Sequence, residues 1–236
     1  MFLWVMLFLA CGLSFAQTTT VTASVEVIKE GEKKPAAEQS NVVVWLTPLS
    51  DARPPQDGDP ARQQFVLRQK NKTFTPHLLV LPVGAVVNFP NHDPVFHNVF
   101  SLYEGKRFDL GLYEAGSSRT LRFDRAGVSY IFCNIHPDMA AVVIALRTPY
   151  YGVSDRGGRI ALRDVPPGRF TLNVWHEGAT PETLKALQRE ITVSGEMHFL
   201  GTLRLNLPAV QAAAHKNKYG QDYPRPAPSG EVYEQR

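Results

Sequence analysis

The run 130–139, Tyr-Ile-Phe-Cys-Asn-Ile-His-Pro-Asp-Met, constrains this chain more than any other stretch. It sets a thiol at Cys133, an imidazole at His136 and a thioether at Met139, in the spacing Cys-x-x-His-x-x-Met. Residues 128–132 are apolar apart from Ser129, which suits a buried strand, and Pro137 breaks regular structure just beyond His136. A strand that delivers a soft sulfur into a tight loop, with imidazole and thioether next along it, suits a soft, redox-active metal. The loop is one ligand short, and the rest of the chain has to supply it.

The other cysteine, Cys11, lies in an apolar run over residues 2–15 that ends Ser14-Phe15-Ala16. Small residues at 14 and 16 fit a secretory signal peptide over residues 1–16, cut before Gln17, although no Lys or Arg precedes the run. The run is short for a bilayer span and no later stretch is long enough, so no transmembrane segment is expected in the mature chain. Export to a periplasmic or extracellular compartment is preferred over a lipid anchor on Cys11, because Phe8-Leu9-Ala10 is a poor lipoprotein cleavage site. Cleavage would leave Cys133 as the one thiol of the mature protein, without an internal disulfide partner. Alone, such a Cys reads as a small buried hydrophobe; with His136 and Met139 at ligand spacing it does not. The net charge of +3, with no basic cluster, argues against nucleic acid as a partner.

Frequent Pro and Gly and short apolar runs between turn signals predict an all-β chain of antiparallel sandwich type. Strands are expected over 21–28 and 42–46, within a first block spanning 17–50. Residues 51–63, polar and broken by prolines, read as a linker. A second block, 64–147, carries strands near 65–68, 78–81, 86–89, 107–113, 120–123, 128–132 and 140–146. A third, 148–206, carries 159–162, 169–175, 189–193 and 197–205, with residues 182–189 open to a short helix or a loop. Residues 207–236 read as a loosely ordered tail that Tyr219, Tyr223 and Tyr233 could pin to the body.

The missing ligand is most economically His97, at the end of an upstream strand, with enough chain between it and Cys133 for a strand–loop–strand return. Cys and two His with a weak axial Met make a mononuclear blue-copper electron-transfer site. Zinc is the competitor, and thioether is a poor zinc ligand. His92 is close in sequence to the candidate ligands; His77, His176, His198 and His215 have no ligand-like neighbour. Asn71-Lys72-Thr73 matches a glycosylation acceptor.

Residues 64–147 resemble a cupredoxin, the small blue copper protein of plastocyanin and amicyanin type. The resemblance rests on Phe74-Thr75-Pro76, Gly84, Asn91-x-Asp93, His97-Asn98-Val99-Phe100 and Tyr130-x-Phe132-Cys133-x-x-His136-x-x-Met139, with the short ligand loop of amicyanin. Phe89-Pro90-Asn91, Phe108-Asp109-Leu110-Gly111-Leu112-Tyr113 and Cys133-Asn134-Ile135-His136 also resemble the exported "methylamine utilization protein" group. This implies a Greek-key β-sandwich holding one type 1 copper on His97, Cys133, His136 and Met139. It further implies an Asn98 amide hydrogen-bonded to the Cys133 sulfur, a ligand loop stiffened by Pro137, and a redox partner protein docking near His136 and Pro137.

Multicopper oxidases and copper nitrite reductases set His on both sides of the ligand Cys. Here the neighbours are Phe132 and Asn134, and a binuclear site would need a second Cys, so a non-enzyme is expected. Two classes of function stand: one-electron transfer with a partner oxidoreductase, and a role without redox turnover, either copper binding and storage or structural interaction. The flanking blocks resemble a transthyretin-type, carboxypeptidase-regulatory-like β-sandwich at Gly157-Gly158-Arg159, Asp164-Val165-Pro166-Pro167-Gly168 and Phe170-Thr171-Leu172. The resemblance implies a sandwich interrupted by the cupredoxin-like block, with strands from the two extremes of the chain as neighbours.

Overall fold

The computed structural model describes residues 18–50, 58–102, 104–194, 198–208 and 216–223. The expected signal peptide with Cys11, linker residues 51–57, the side chain of His198, His215 and Tyr233 lie outside them. The protein is all-β. The first block holds β1 (Thr19–Lys29) and β2 (Val43–Pro48). After a single 3-10 turn, Pro60–Arg62, come β3 (Gln64–Val66), β4 (Arg68–Lys70), β5 (Thr73–Thr75), β6 (Leu78–Pro82), β7 (Val86–Pro90) and β8 (His97–Ser101). β9 (Phe108–Tyr113), β10 (Ser118–Arg122), β11 (Gly127–Phe132) and β12 (Ala140–Leu146) complete the middle of the chain. The last part holds β13 (Tyr151–Val153), β14 (Arg159–Val165), β15 (Gly168–Trp175), β16 (Arg189–Val193) and β17 (His198–Leu207). The one α-helix among the described residues, α1 (Pro181–Leu187), starts at Thr180, whose hydroxyl accepts the Thr183 amide, with Pro181 at the first helical position.

Of the five sheets among the described residues, four stack face to face and the fifth is the β4-β5 hairpin. β14-β1-β17 packs on β13-β2-β15-β16, then come β6-β12-β11-β8-β9 and finally β10-β7-β3. Strand alternation explains the layering. In β1, Val21, Ala23, Val25 and Val27 face a core that they share with Val44 and Leu46 of β2 and Phe170, Leu172 and Val174 of β15. β12 is buried along both faces: Ala141, Val143 and Ala145 point into the core that holds Cys133 and Met139, while Val142 and Ile144 meet Val43 and Trp175.

β1 is central to its sheet, antiparallel to β14 and parallel to β17, so strands from both extremes of the described chain lie side by side. β6–β12 and β3–β7 are parallel too. The antiparallel expectation is therefore corrected to a mixed arrangement, because these partners are joined by long crossovers rather than tight hairpins. The turn at 155–158 shows why a glycine is needed at its end. Gly158 has φ 77°, its carbonyl accepts the Val25 amide at 2.8 Å, and a Cβ there would strike the Val25 carbonyl. The expected strand near 65–68 divides at buried Leu67 into β3 and β4, which pair with different partners.

Candidate metal centre

His97 opens β8, which pairs with β9 on one side and β11 on the other. Cys133 follows the last residue of β11, so the Phe132–Phe100 pairing sets its sulfur close to the start of β8. The loop from Cys133 to Met139 closes on itself: the Cys133 amide donates to the Met139 carbonyl, and the Met139 amide to the His136 carbonyl, each at 3.2 Å.

The result is a compact donor set. Cys133 Sγ lies 3.8 Å from His97 Nδ1 and 3.5 Å from His136 Nδ1. The potential ligand atoms of His97, Cys133 and His136 all fall within 4.8 Å of one another, and the two rings are 4.7 Å apart between centroids. His97 and Cys133 are buried, His136 is partly exposed and Pro137 exposed. Met139 is fully buried in the same apolar cluster as Cys133. Two imidazoles and a thiol on buried elements fit a soft transition metal.

The electrostatics favour neutral ring nitrogens. Burial, then the repulsion a protonated His97 would exert and the charge of Lys72, pulls the His136 pKa down to about 4. Burial also lowers that of His97, against the opposing pull of Asp93. Burial raises the Cys133 thiol, while backbone N–H groups of Asn98, Ile135 and His136 hydrogen-bond to it and favour the thiolate. Binding a metal at this sulfur therefore releases a proton.

Asp93 is part of the site, although its role is not apparent from spacing alone. Its Oδ2 lies 2.7 Å from His97 Nε2, while Oδ1 and Oδ2 accept the amides of Asn71 and Lys72 at 2.6 and 2.8 Å. Those two residues have φ 55° and 53°, a turn whose successive N–H groups form an anion cradle. Burial alone would raise the Asp93 pKa, but the amides and His97 outweigh it and hold the carboxyl below its ordinary value. Buried Asn91 ties the same loop together, donating to Val95 O at 2.8 Å and accepting the Asp93 amide at 3.0 Å.

Among the described residues, His77, His92 and His176 lie elsewhere. His92 is exposed and outside the cluster. His77 pairs with Glu177 at 2.6 Å, and His176 Nδ1 accepts the Gly178 amide. Among the described residues of the tail, 216–223 form a hydrogen-bonded turn against the ligand loop. There Tyr223 OH donates to the Cys133 carbonyl at 2.7 Å and the Lys218 amide to Asn134 Oδ1 at 2.9 Å. The sequence names Tyr223 only as a general anchor and offers no signal for Lys218.

No protein-family model and no curated protein matches the chain. Among solved structures it is similar to a purple cupredoxin from Nitrosopumilus maritimus, at 27% identity over 35% of this chain and 98% of that one, with a TM-score of 0.32. A Cu-containing nitrite reductase from Thermus scotoductus SA-01 matches at 19% identity over 42% of this chain and 25% of its own, with a TM-score of 0.34. An amicyanin mutant in the Cu(I) state matches at 17% identity over 44% of this chain and 98% of its own, with a TM-score of 0.33. Among the described residues, no helix is long and apolar enough to cross a membrane.

Proposed function

We propose that this chain is an exported, non-enzymatic protein with one type 1 copper, passing single electrons to or from a partner oxidoreductase. The observation that carries the reading is the convergence of one ring nitrogen each from His97 and His136 with Cys133 Sγ, all within 4.8 Å of one another. His97, Cys133 and His136 would hold the metal, with Met139 as the weak axial ligand. When bound, copper supplies the one-electron couple.

The chain's own residues do the rest. Cys133 gives up its proton and becomes a thiolate steadied by the N–H groups that already point at it. The cluster of Val99, Ile131, Met139 and Val143 keeps water from the sulfur side. Pro137 lacks an N–H and stiffens the loop tip, which limits rearrangement between oxidation states. The half-exposed His136 and exposed Pro137 form the edge at which a redox partner docks. Phe132 and Asn134 beside Cys133 offer no imidazole route to a second centre, which supports the non-enzyme reading. In this reading residues 64–147 carry the copper, and β1, β2 and β13 to β17 make a discontinuous regulatory-like sandwich on which that block is mounted.

The test is metal analysis with visible spectroscopy on protein purified from an oxidising compartment. The expected result is stoichiometric copper, an intense thiolate-to-copper band and reversible one-electron cycling, with the band lost in Cys133→Ser. Copper bound without cycling would assign storage or a structural role instead. A Cys133→Ser protein that keeps the colour would overturn the ligand set. Export is checked separately, by a mature amino terminus at Gln17.

A further inference from the structure

Residues 216–223 build a compact turn of their own. Asn217 Oδ1 accepts the amides of Tyr219 and Gln221 at 2.9 and 3.0 Å, and Gly220, at φ 75°, donates to the Asn217 carbonyl at 2.9 Å. This is the Asx type of turn, in which a side-chain carbonyl replaces a backbone acceptor. The turn is therefore preformed, and what it touches is specific.

Its contacts converge on the residues that follow two of the candidate ligands. Lys218 donates its amide to Asn134 Oδ1, next to Cys133, at 2.9 Å. Its ammonium lies 2.7 Å from Asp109 Oδ2, and Asp109 Oδ1 accepts Asn98 Nδ2, next to His97, at 2.7 Å. Tyr223 reaches Cys133 itself, donating its hydroxyl to the carbonyl at 2.7 Å. These contacts span sequence separations of 84, 109 and 90 residues, so ordering the segment carries an entropy cost that they must offset.

We propose that residues 216–223 are a positioning strap for the metal centre, with Tyr223 holding the Cys133 carbonyl and Lys218 tying Asn134 to the Asp109–Asn98 pair. Cys133 is fully buried, so its carbonyl needs a partner within the protein, and the Tyr223 hydroxyl supplies one. With that bond made, the carbonyl, the amide and the sulfur of Cys133 are all hydrogen-bonded. A residue held at three points keeps one geometry, which is what a rigid ligand loop requires. Tyr223 and Lys218 are positioning residues, since Tyr223 acts through the Cys133 carbonyl and Lys218 through Asn134 and Asp109. The strap's effect on copper rests on the function proposed above; its hold on the thiol does not.

The experiment measures Cys133 in the metal-free, reduced, full-length protein, following its labelling by a thiol reagent with peptide mass spectrometry. Labelling of a buried thiol reports local opening, and loss of one hydrogen bond should raise it about threefold to tenfold in Tyr223→Phe. Lys218→Ala should do the same while the denaturant midpoint of the whole protein stays in place. In copper-loaded protein, Tyr223→Phe should also shift the thiolate-to-copper band. Faster labelling establishes the strap whether or not copper binds. Wild-type labelling rates in both variants overturn it, and would do so even if copper and its band were present.

Discussion

His97 Nε2 lies 2.7 Å from Asp93 Oδ2, with the two side chains 0% and 6% exposed. A carboxylate at Nε2 places the ring proton on that nitrogen and leaves Nδ1, the atom facing Cys133, with its lone pair free. Asp93→Ala removes this and strands the amides of Asn71 and Lys72. The expected outcome is about a 10- to 100-fold loss of copper affinity in a competition titration. A stability loss of roughly 1–3 kcal/mol should accompany it in denaturant unfolding. Affinity at the wild-type level would show that His97 needs no such partner.

Met139 separates packing from ligation. It is fully buried in the cluster around Cys133, so Met139→Leu, close in volume, should cost less than about 1.5 kcal/mol. Met139→Ala should cost about 2–5 kcal/mol by leaving a cavity. If the thioether is the axial donor, Met139→Leu also raises the copper midpoint potential, since the oxidised metal loses an electron donor. Voltammetry on the two proteins decides it: an unchanged potential with an unchanged spectrum would make Met139 a packing residue only.

These residues differ in how legible they are from sequence, for physical reasons. Cys133, His136 and Met139 crowd one loop, and three soft donors at short spacing carry a chemical signal by themselves. His97, 36 residues before Cys133, comes into view only through the strand pattern that brings it back. Asp93 sits in a polar loop without periodicity, and its role depends on a hairpin turn whose two amides fold over it. Lys218 acts through contacts that no local pattern encodes. The strands of β1 and β15 are legible because one face of each alternates toward a core. β12 is apolar throughout, so its sequence cannot tell which sheet covers which face.

The position of β1 makes a fragment experiment decisive. β1 lies between β14 and β17, and β2 between β13 and β15, so a fragment covering 148–208 lacks a central strand in both sheets of its sandwich. It also lacks Val21, Val25, Val27, Val42, Val44 and Leu46 from the shared core. At roughly 1.5–3 kcal/mol each, these match the whole margin of about 5–15 kcal/mol that keeps a domain folded. The fragment should therefore give the poorly dispersed amide spectrum of an unfolded chain. A well-dispersed, cooperatively melting fragment would overturn the discontinuous sandwich.

The contact between the two middle sheets should carry a pH dependence of its own. His77, whose carbonyl accepts the Val142 amide of β12, sits 2.6 Å from Glu177, just beyond β15. Glu177 raises the His77 pKa above its ordinary 6.5, against burial and with help from the Ala140 carbonyl. Because the folded value is the higher one, the pair's contribution is fully present below 6.5 and is lost as pH rises through the raised folded value. Both side chains are nearly half exposed, so solvent screening holds that contribution to about 1 kcal/mol or less. Glu177→Gln should therefore melt about 1–3 °C below wild type at acidic pH, with the gap closing as pH rises. Taking the difference between the two proteins cancels the titration of His97 and His136, which both retain. A gap that is constant from acid to alkaline pH would show that Glu177 acts without the His77 charge.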